Sequence, residues 1–150
     1  MATISRDRQS AAITIPADYL EDARSALAVE VHEDSDRLRA EQADVASGKR
    51  PNEDLARSDL ASAMSTLRKD VRLLDELLDV SGDANVTAGS DTLAEMLEAT
   101  VRVLSGRLAE EMRYGPLNMG AVRELADRLR WAADETNRIW PALGPTEATS

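Results

Sequence analysis

Four stretches of the chain repeat apolar residues at three- and four-residue steps, the period of a helix with one buried face. The first runs Leu20, Ala23, Leu27, Val31, Leu38 and Val45, with Pro16 suited to its first turn and Gly48 to its end. The second opens at Pro51 or Asn52. Its seam is Leu60, Met64, Leu67, Val71, Leu74 and Leu78, and Gly82 stops it. The third follows Ser90 or Thr92, where Thr92 and Glu95 have capping-box spacing, and presents Leu93, Met96, Leu97, Val101, Leu104 and Leu108 before Gly115-Pro116. The fourth begins near Asn118 and presents Val122, Leu125, Ala126, Leu129, Ala132, Ala133, Thr136 and Trp140, with Pro141 as its stop.

The links at 48–50 and 114–118 are short and the one at 81–90 is longer. Short links favour antiparallel neighbours, so the pattern predicts an all-α fold, an antiparallel four-helix up-down-up-down bundle, alone or as a dimer. Residues 13–143 form the bundle domain, with a flexible N-terminal segment at 1–12 and a flexible tail at 144–150. Ala12 to Ile15 can make a short extended piece. At about 1.5 Å per residue the first helical pair is roughly 45 Å long and the second nearer 33 Å, so the first hairpin overhangs the second or meets another chain.

Composition supports this picture. The chain has 150 residues, 24 of them Ala and 18 Leu, with no Phe and no Cys. The core is therefore aliphatic, and disulfides, thiol nucleophiles and cysteine zinc sites are excluded. No signal peptide and no membrane span is evident, and the lack of Cys fits a reducing cytoplasm. Arg outnumbers Lys, of which there are two, Lys49 and Lys69, a bias of GC-rich bacterial genomes. The net charge of −10 repels phosphate backbones and anionic lipid. It is concentrated in 17–47, where nine acids face three arginines, whereas 118–140 is neutral.

Few residues suggest chemistry. His32, the single histidine, lies off the apolar seam among Glu30, Glu33, Asp34 and Asp36, and the chain has no Glu-x-x-His pair for a di-iron bundle. Asp83, Asn85 and Thr87 alternate as in a calcium loop, but Ala88 stands where glycine is required and Ala94 at the twelfth position. The loop at 81–90 therefore reads as a polar connection. Asp34, and Glu41 one heptad later, occupy seam positions of the first helix. Either that half of the helix overhangs in water, or the acids sit in an interior ion pair with an Arg of another helix.

Two resemblances supply alternatives. Glu95 and Glu98, followed by Glu124 and Asp127, resemble the metal ligands of all-α nucleotide pyrophosphohydrolases of the MazG type. The resemblance covers four residues and implies a Mg²⁺-dependent nucleotide hydrolase. Helical geometry turns Glu124 and Asp127 roughly 150–200° from the core direction. Ile13-Thr14-Ile15-Pro16 before a helix resembles ribbon-helix-helix repressors, which implies DNA binding by a paired strand. Here the strand is apolar and the helix acidic.

Trp131 projects roughly opposite the buried side of its helix, and Leu73, Leu77 and Val80 leave or widen the seam of the second. Apolar anchors on polar faces suggest a contact surface, though a folded-back N-terminal segment could instead cover Trp131. The sequence thus favours a non-enzymatic module for self-association or protein–protein interaction. Its anchors are Trp131, Leu73, Leu77 and Val80, its partner is itself or a protein with a basic surface, and it takes no cofactor, nucleic acid or membrane.

Overall fold

The computed structural model describes residues 10–48, 52–113 and 116–140. Strand β1 (Ser10–Ile15) leads into helix α1 (Ala17–Ser47), followed by α2 (Glu53–Leu78), β2 (Ala84–Gly89), α3 (Ser90–Arg113) and α4 (Met119–Ile139). The chain is mostly helical, as the apolar periodicity predicts, with a small sheet that it does not predict. The tail at 144–150, most of the segment at 1–12, and the breaks expected at Pro51, Gly115 and Pro141 lie outside the described residues. Positions 10–12 belong to β1.

Helix ends are set by local chemistry. Pro16 has φ −58°, already helical, and the Ala17 amide donates to Asp83 Oδ1 at 2.8 Å. Gly48 closes α1 in the left-handed region at φ 67°, where a side chain would be strained. Asn52 accepts from the Leu55 amide at 3.0 Å and Asn118 from the Ala121 amide at 3.2 Å, capping α2 and α4. The last turn of α2 has no basic residue of its own. Arg24 of α1 reaches across instead, donating to the Leu77 carbonyl at 2.8 Å and the Val80 carbonyl at 2.6 Å. A cation there satisfies carbonyls that no helical amide can reach.

The strands pair antiparallel, Ile13 opposite Val86 and Ile15 opposite Ala84. These four side chains face inward while Ala12, Thr14, Asn85 and Thr87 face out, the alternation of a sheet with one buried face. The supposed loop at 81–90 is therefore largely a strand. The outer edge of β1 is partly covered by Arg138 of α4, which donates to the Ala12 carbonyl at 2.8 Å.

Helix α1 lies between α2 and α3, and α4 packs on α3. One apolar cluster joins all of these elements except α4. It contains Ile13, Ile15, Leu20, Leu27, Leu73, Leu77, Leu93, Met96 and Leu97, and Trp131 and Ile139 of α4 rest against it. The α3 face is as the sequence predicts, with Leu93, Met96, Leu97 and Leu104 buried.

The α2 face is not. Its buried residues are Ala56, Ala63, Asp70, Leu73 and Leu77, while Leu60, Met64, Leu67 and Leu74 are half-buried and Val71 and Leu78 exposed. The helix is turned by about 60° from the leucine seam, three residues at roughly 100° each. Small Ala56 and Ala63 let the α1 backbone come close, and the leucines flank that contact. On α4 only Ala132 is fully buried, and Ala126 and Ala133, expected inside, are exposed.

Asp22 of α1 fastens α4. It is 2% exposed and receives Arg107 of α3 at 2.7 Å on Oδ1 and Arg128 of α4 at 2.8 Å on Oδ2. The Arg128 guanidinium also lies 6.0 Å from the Tyr19 ring centre, and Tyr19 packs on Trp131 with ring centres 5.3 Å apart. Removing one partner of a buried pair typically costs about 3–5 kcal/mol. The arginine side chains here are 47% and 21% exposed and can turn to water. Asp22→Ala should therefore cost about 2–3 kcal/mol in urea unfolding, and Arg128→Ala more than Arg107→Ala. Wild-type stability in Asp22→Ala would show that this pairing does not hold α4.

Candidate functional site

Where α1 and α2 meet, three carboxylates converge. Glu30 and Asp34 stand one helical turn apart on α1, and Asp70 faces them from the buried side of α2. One carboxylate oxygen from each lies within 4.8 Å of the others. Asp34 is 9% exposed and Asp70 2%. Among the described residues, Asp34 Oδ2 and Asp70 Oδ2 are buried with no hydrogen-bond partner. Such oxygens are costly, because an unpaired buried acceptor forfeits its hydration. Arg102 of α3 pairs with Glu30 and supplies the cluster with one positive charge.

Burial raises the Glu30 carboxyl above its ordinary value, with Arg102 opposing. The effect is larger at Asp70. Burial first, then a hydrogen bond with Asp34 and repulsion from Asp34, Glu95 and Glu30, push it up to about 9. Asp70 thus keeps its proton at neutral pH.

Asp70 also borders a cavity of about 150 Å³ between α2 and α3, with Ser62, Ser65, Thr66 and Lys69 on one side and Asp91, Thr92 and Glu95 on the other. Asp91 Oδ1 is a further buried oxygen without a hydrogen-bond partner. The whole donor set is oxygen, the preference of hard divalent cations. Two oxygens bound to one ion at about 2.0–2.6 Å lie at most roughly 4.0–5.2 Å apart, so three oxygens within 4.8 Å of one another are close enough to share one divalent ion. Three carboxylates would leave coordination positions for further ligands, and of the three Asp70 borders the cavity.

The residues singled out in the sequence lie elsewhere or do other work. Glu95, Glu98, Glu124 and Asp127 do not come together. Glu95 is by Asp70, Glu98 is exposed, Glu124 pairs with Arg128 beside the C-terminal half of α3, and Asp127 is exposed. In the former calcium loop Asp83 caps α1, and Asn85 Oδ1 accepts from Thr14 Oγ1 at 2.8 Å. Exposed His32 sits 3.4 Å from Asp36. Leu73 and Leu77 are core residues and Val80 packs against them, so the strip taken as a surface is internal. Trp131 leans on Tyr19 and the core. β1 pairs within the chain, whereas a ribbon-helix-helix protein pairs it with a second copy.

Asp34 was visible as an acid on the seam, but its partner is another acid and not an arginine. Asp70 was hidden by the leucine seam, and would have appeared only had the Ala56, Ala63, Leu77 stripe been taken as the inner face.

The raised value at Asp70 has a signed consequence. Between pH ~4 and ~9 the folded chain holds a proton that the unfolded chain has released, so this group's stabilisation is present below pH ~4 and is lost as pH rises. Wild type should lose up to about 1.4 kcal/mol per pH unit relative to Asp70→Asn between pH ~5 and ~8, read by urea unfolding. Parallel pH profiles for the two proteins would show that Asp70 holds no such proton.

Comparison with protein families, with curated protein sequences and with solved structures found no match, so any functional reading rests on the chemistry of these side chains.

Proposed function

We propose that this chain is a divalent-cation-binding helical domain in which Glu30, Asp34 and Asp70 are the ligands. The observation that carries the reading is the convergence of Glu30, Asp34 and Asp70, each with a carboxylate oxygen within 4.8 Å of the others, at a place where Asp34 Oδ2 and Asp70 Oδ2 are buried with no hydrogen-bond partner. A divalent ion would replace the Asp70 proton, satisfy both oxygens and, with Arg102, neutralise the cluster. Glu95 and water in the cavity would complete the shell. Because the ligands come from α1 and α2, with Arg102 of α3 against Glu30, the ion would also brace the three helices. The cation dependence suggested by the four-residue resemblance is kept, on different residues.

The helices are read as a bundle in which α1 runs opposite to both α2 and α3. Support comes from the cross-contacts: Arg24 meets Leu77 while Asp34 meets Asp70, and Asp22 meets Arg107 while Glu30 meets Arg102. On this reading α2 and α3 share a direction, with β2 between them, so the expected up-down-up-down succession fails at that step.

A second reading, association with another copy or a protein partner, is favoured by a different surface from the one first inferred. Met112, Leu117 and Met119, near the α3–α4 connection, are 58%, 50% and 65% exposed. If copies meet there, Leu117→Glu with Met119→Glu should lower the mass seen by light scattering. A monomeric wild type at high concentration would remove self-association.

The cation reading is tested with Mn²⁺ as probe and Mg²⁺ and Ca²⁺ as competitors. At a hundredfold excess over its Kd, a bound ion should add about 2.7 kcal/mol of stability, and both Asp34→Asn and Asp70→Asn should abolish that gain. No Mn²⁺ binding at millimolar concentration by electron paramagnetic resonance, or binding unchanged in both variants, would end it.

A further inference from the structure

The α2 seam, Leu60, Met64, Leu67, Val71, Leu74 and Leu78, has the heptad spacing of buried positions, yet none of the six is fully buried. Four are half-buried, Val71 is 37% exposed and Leu78 59%. At roughly 100° per residue from Asp70, which faces α1, the seam lies about 40–120° to one side. Ser62, Thr66, Lys69 and Leu73, which border α3 or β2, lie on the other. The seam therefore looks away from α3 and the sheet. On the adjoining side of α1, Val31, Leu38 and Val45 are half-buried as well. Beyond them stand Ala28, Ser35 and Gln42, all uncharged although α1 carries nine acids. The two longest helices thus share an apolar, nearly charge-free face that the fold leaves open.

We infer that two copies of the chain meet on this face, their α2 helices side by side and running in opposite directions. Leu at 60, 67 and 74 alternates with Met, Val and Leu at 64, 71 and 78, a sequence of knobs that interlocks with a second helix. The charges at the border select another copy as the occupant. Arg68 and Asp75 follow Leu67 and Leu74 along the outer edge of the seam, one heptad apart. Both are exposed, and among the described residues neither makes an ion pair or a hydrogen bond. One charge of each sign on one edge complements the same edge reversed. A two-fold axis crossing α2 between them sets each Arg68 against the partner's Asp75, Val71 against the partner's Leu74 and Leu67 against the partner's Leu78. Two helices about 10 Å across and about 27 Å long offer each copy roughly 500 Å², so a pair buries about 1,000 Å², the lower end of specific interfaces. The dimer is therefore reversible. It is independent of the cation reading and uses a different face from Met112, Leu117 and Met119.

The test is sedimentation equilibrium of the full chain from micromolar to millimolar concentration. Wild type should pass from one chain mass to two as concentration rises. Val71→Lys with Leu78→Lys should hold the protein at one mass with its helical circular dichroism unchanged, because both positions are exposed in the single chain. Arg68→Asp should weaken the dimer about tenfold, turning two edge pairs into two like-charge contacts, and adding Asp75→Arg should restore it. A mere folding defect would not be repaired by the second change. Leu117→Glu with Met119→Glu should leave this dimer intact. A wild type of one mass at millimolar concentration would overturn the inference. So would a dimer that survives the two lysines, or an Arg68→Asp loss that Asp75→Arg does not reverse. A dimer lost only in Leu117→Glu with Met119→Glu would overturn it as well, and would place the contact at the α3–α4 connection instead.

Discussion

Helix α1 is rich in acids and is packed on two sides, so part of its negative surface has to leave water. That conflict organises the molecule. A carboxylate taken out of solvent must find a cation, a proton or hydrogen-bond donors. α1 meets the demand twice, in different ways. Asp22 finds two guanidiniums, one from α3 and one from α4, and so becomes the point that ties three helices together. Asp34, three turns further on, finds Asp70. The first solution stores no chemical potential. The second leaves two acceptors unmet and keeps a proton that could be exchanged for an ion.

The rest of the packing places these acids. The two-stranded sheet closes the end where Ile13, Ile15, Ala84 and Val86 cover Leu20, Ala23 and Leu27. Arg24 binds the C-terminal carbonyls of α2 at that same end and fixes the height of α2 against α1. Once Leu77 is set beside Arg24, a helix running the other way brings Asp70 level with Asp34. The alanines at 56 and 63 keep the two backbones close along the remaining length. Asp70 thus reaches Asp34 because a cap, a small-residue stripe and an antiparallel course agree.

Helix α4 stands apart from this arrangement. It buries a single residue completely and is held at its inner face by the Arg128–Asp22 pair, the Tyr19–Trp131 contact and the Arg138 bond to β1. Polar and aromatic contacts here do what apolar burial does for α1, α2 and α3. Such contacts are directional, so they fix where α4 lies while contributing less per residue than a buried leucine.

Apolar spacing, caps and breakers in the sequence determined the four helices, most of their ends and the inner face of α3. The cues are local: Pro16, Gly48, Asn52 and Asn118 act within one turn of themselves, and Leu93, Met96, Leu97 and Leu104 repeat at a period that only a helix satisfies. Strand β2 escaped notice because Ala84, Val86 and Ala88 alternate with too little bulk to stand out from a turn-rich stretch, and its pairing with β1 joins residues 69 to 79 positions apart. The rotation of α2 escaped for a related reason. Leucine marks where a helix is greasy, but alanine marks where another backbone can approach, and the choice between them is made by the neighbour. The acid cluster belongs wholly to that second kind of information. Glu30, Asp34 and Asp70 lie up to forty residues apart, and although Asp34 stands on an apolar seam, nothing local marks Glu30 or Asp70 as its neighbours. Tertiary packing alone decided that these three would share one dry site, because the energy of a buried charge depends on what surrounds it in space and not on what flanks it in the chain.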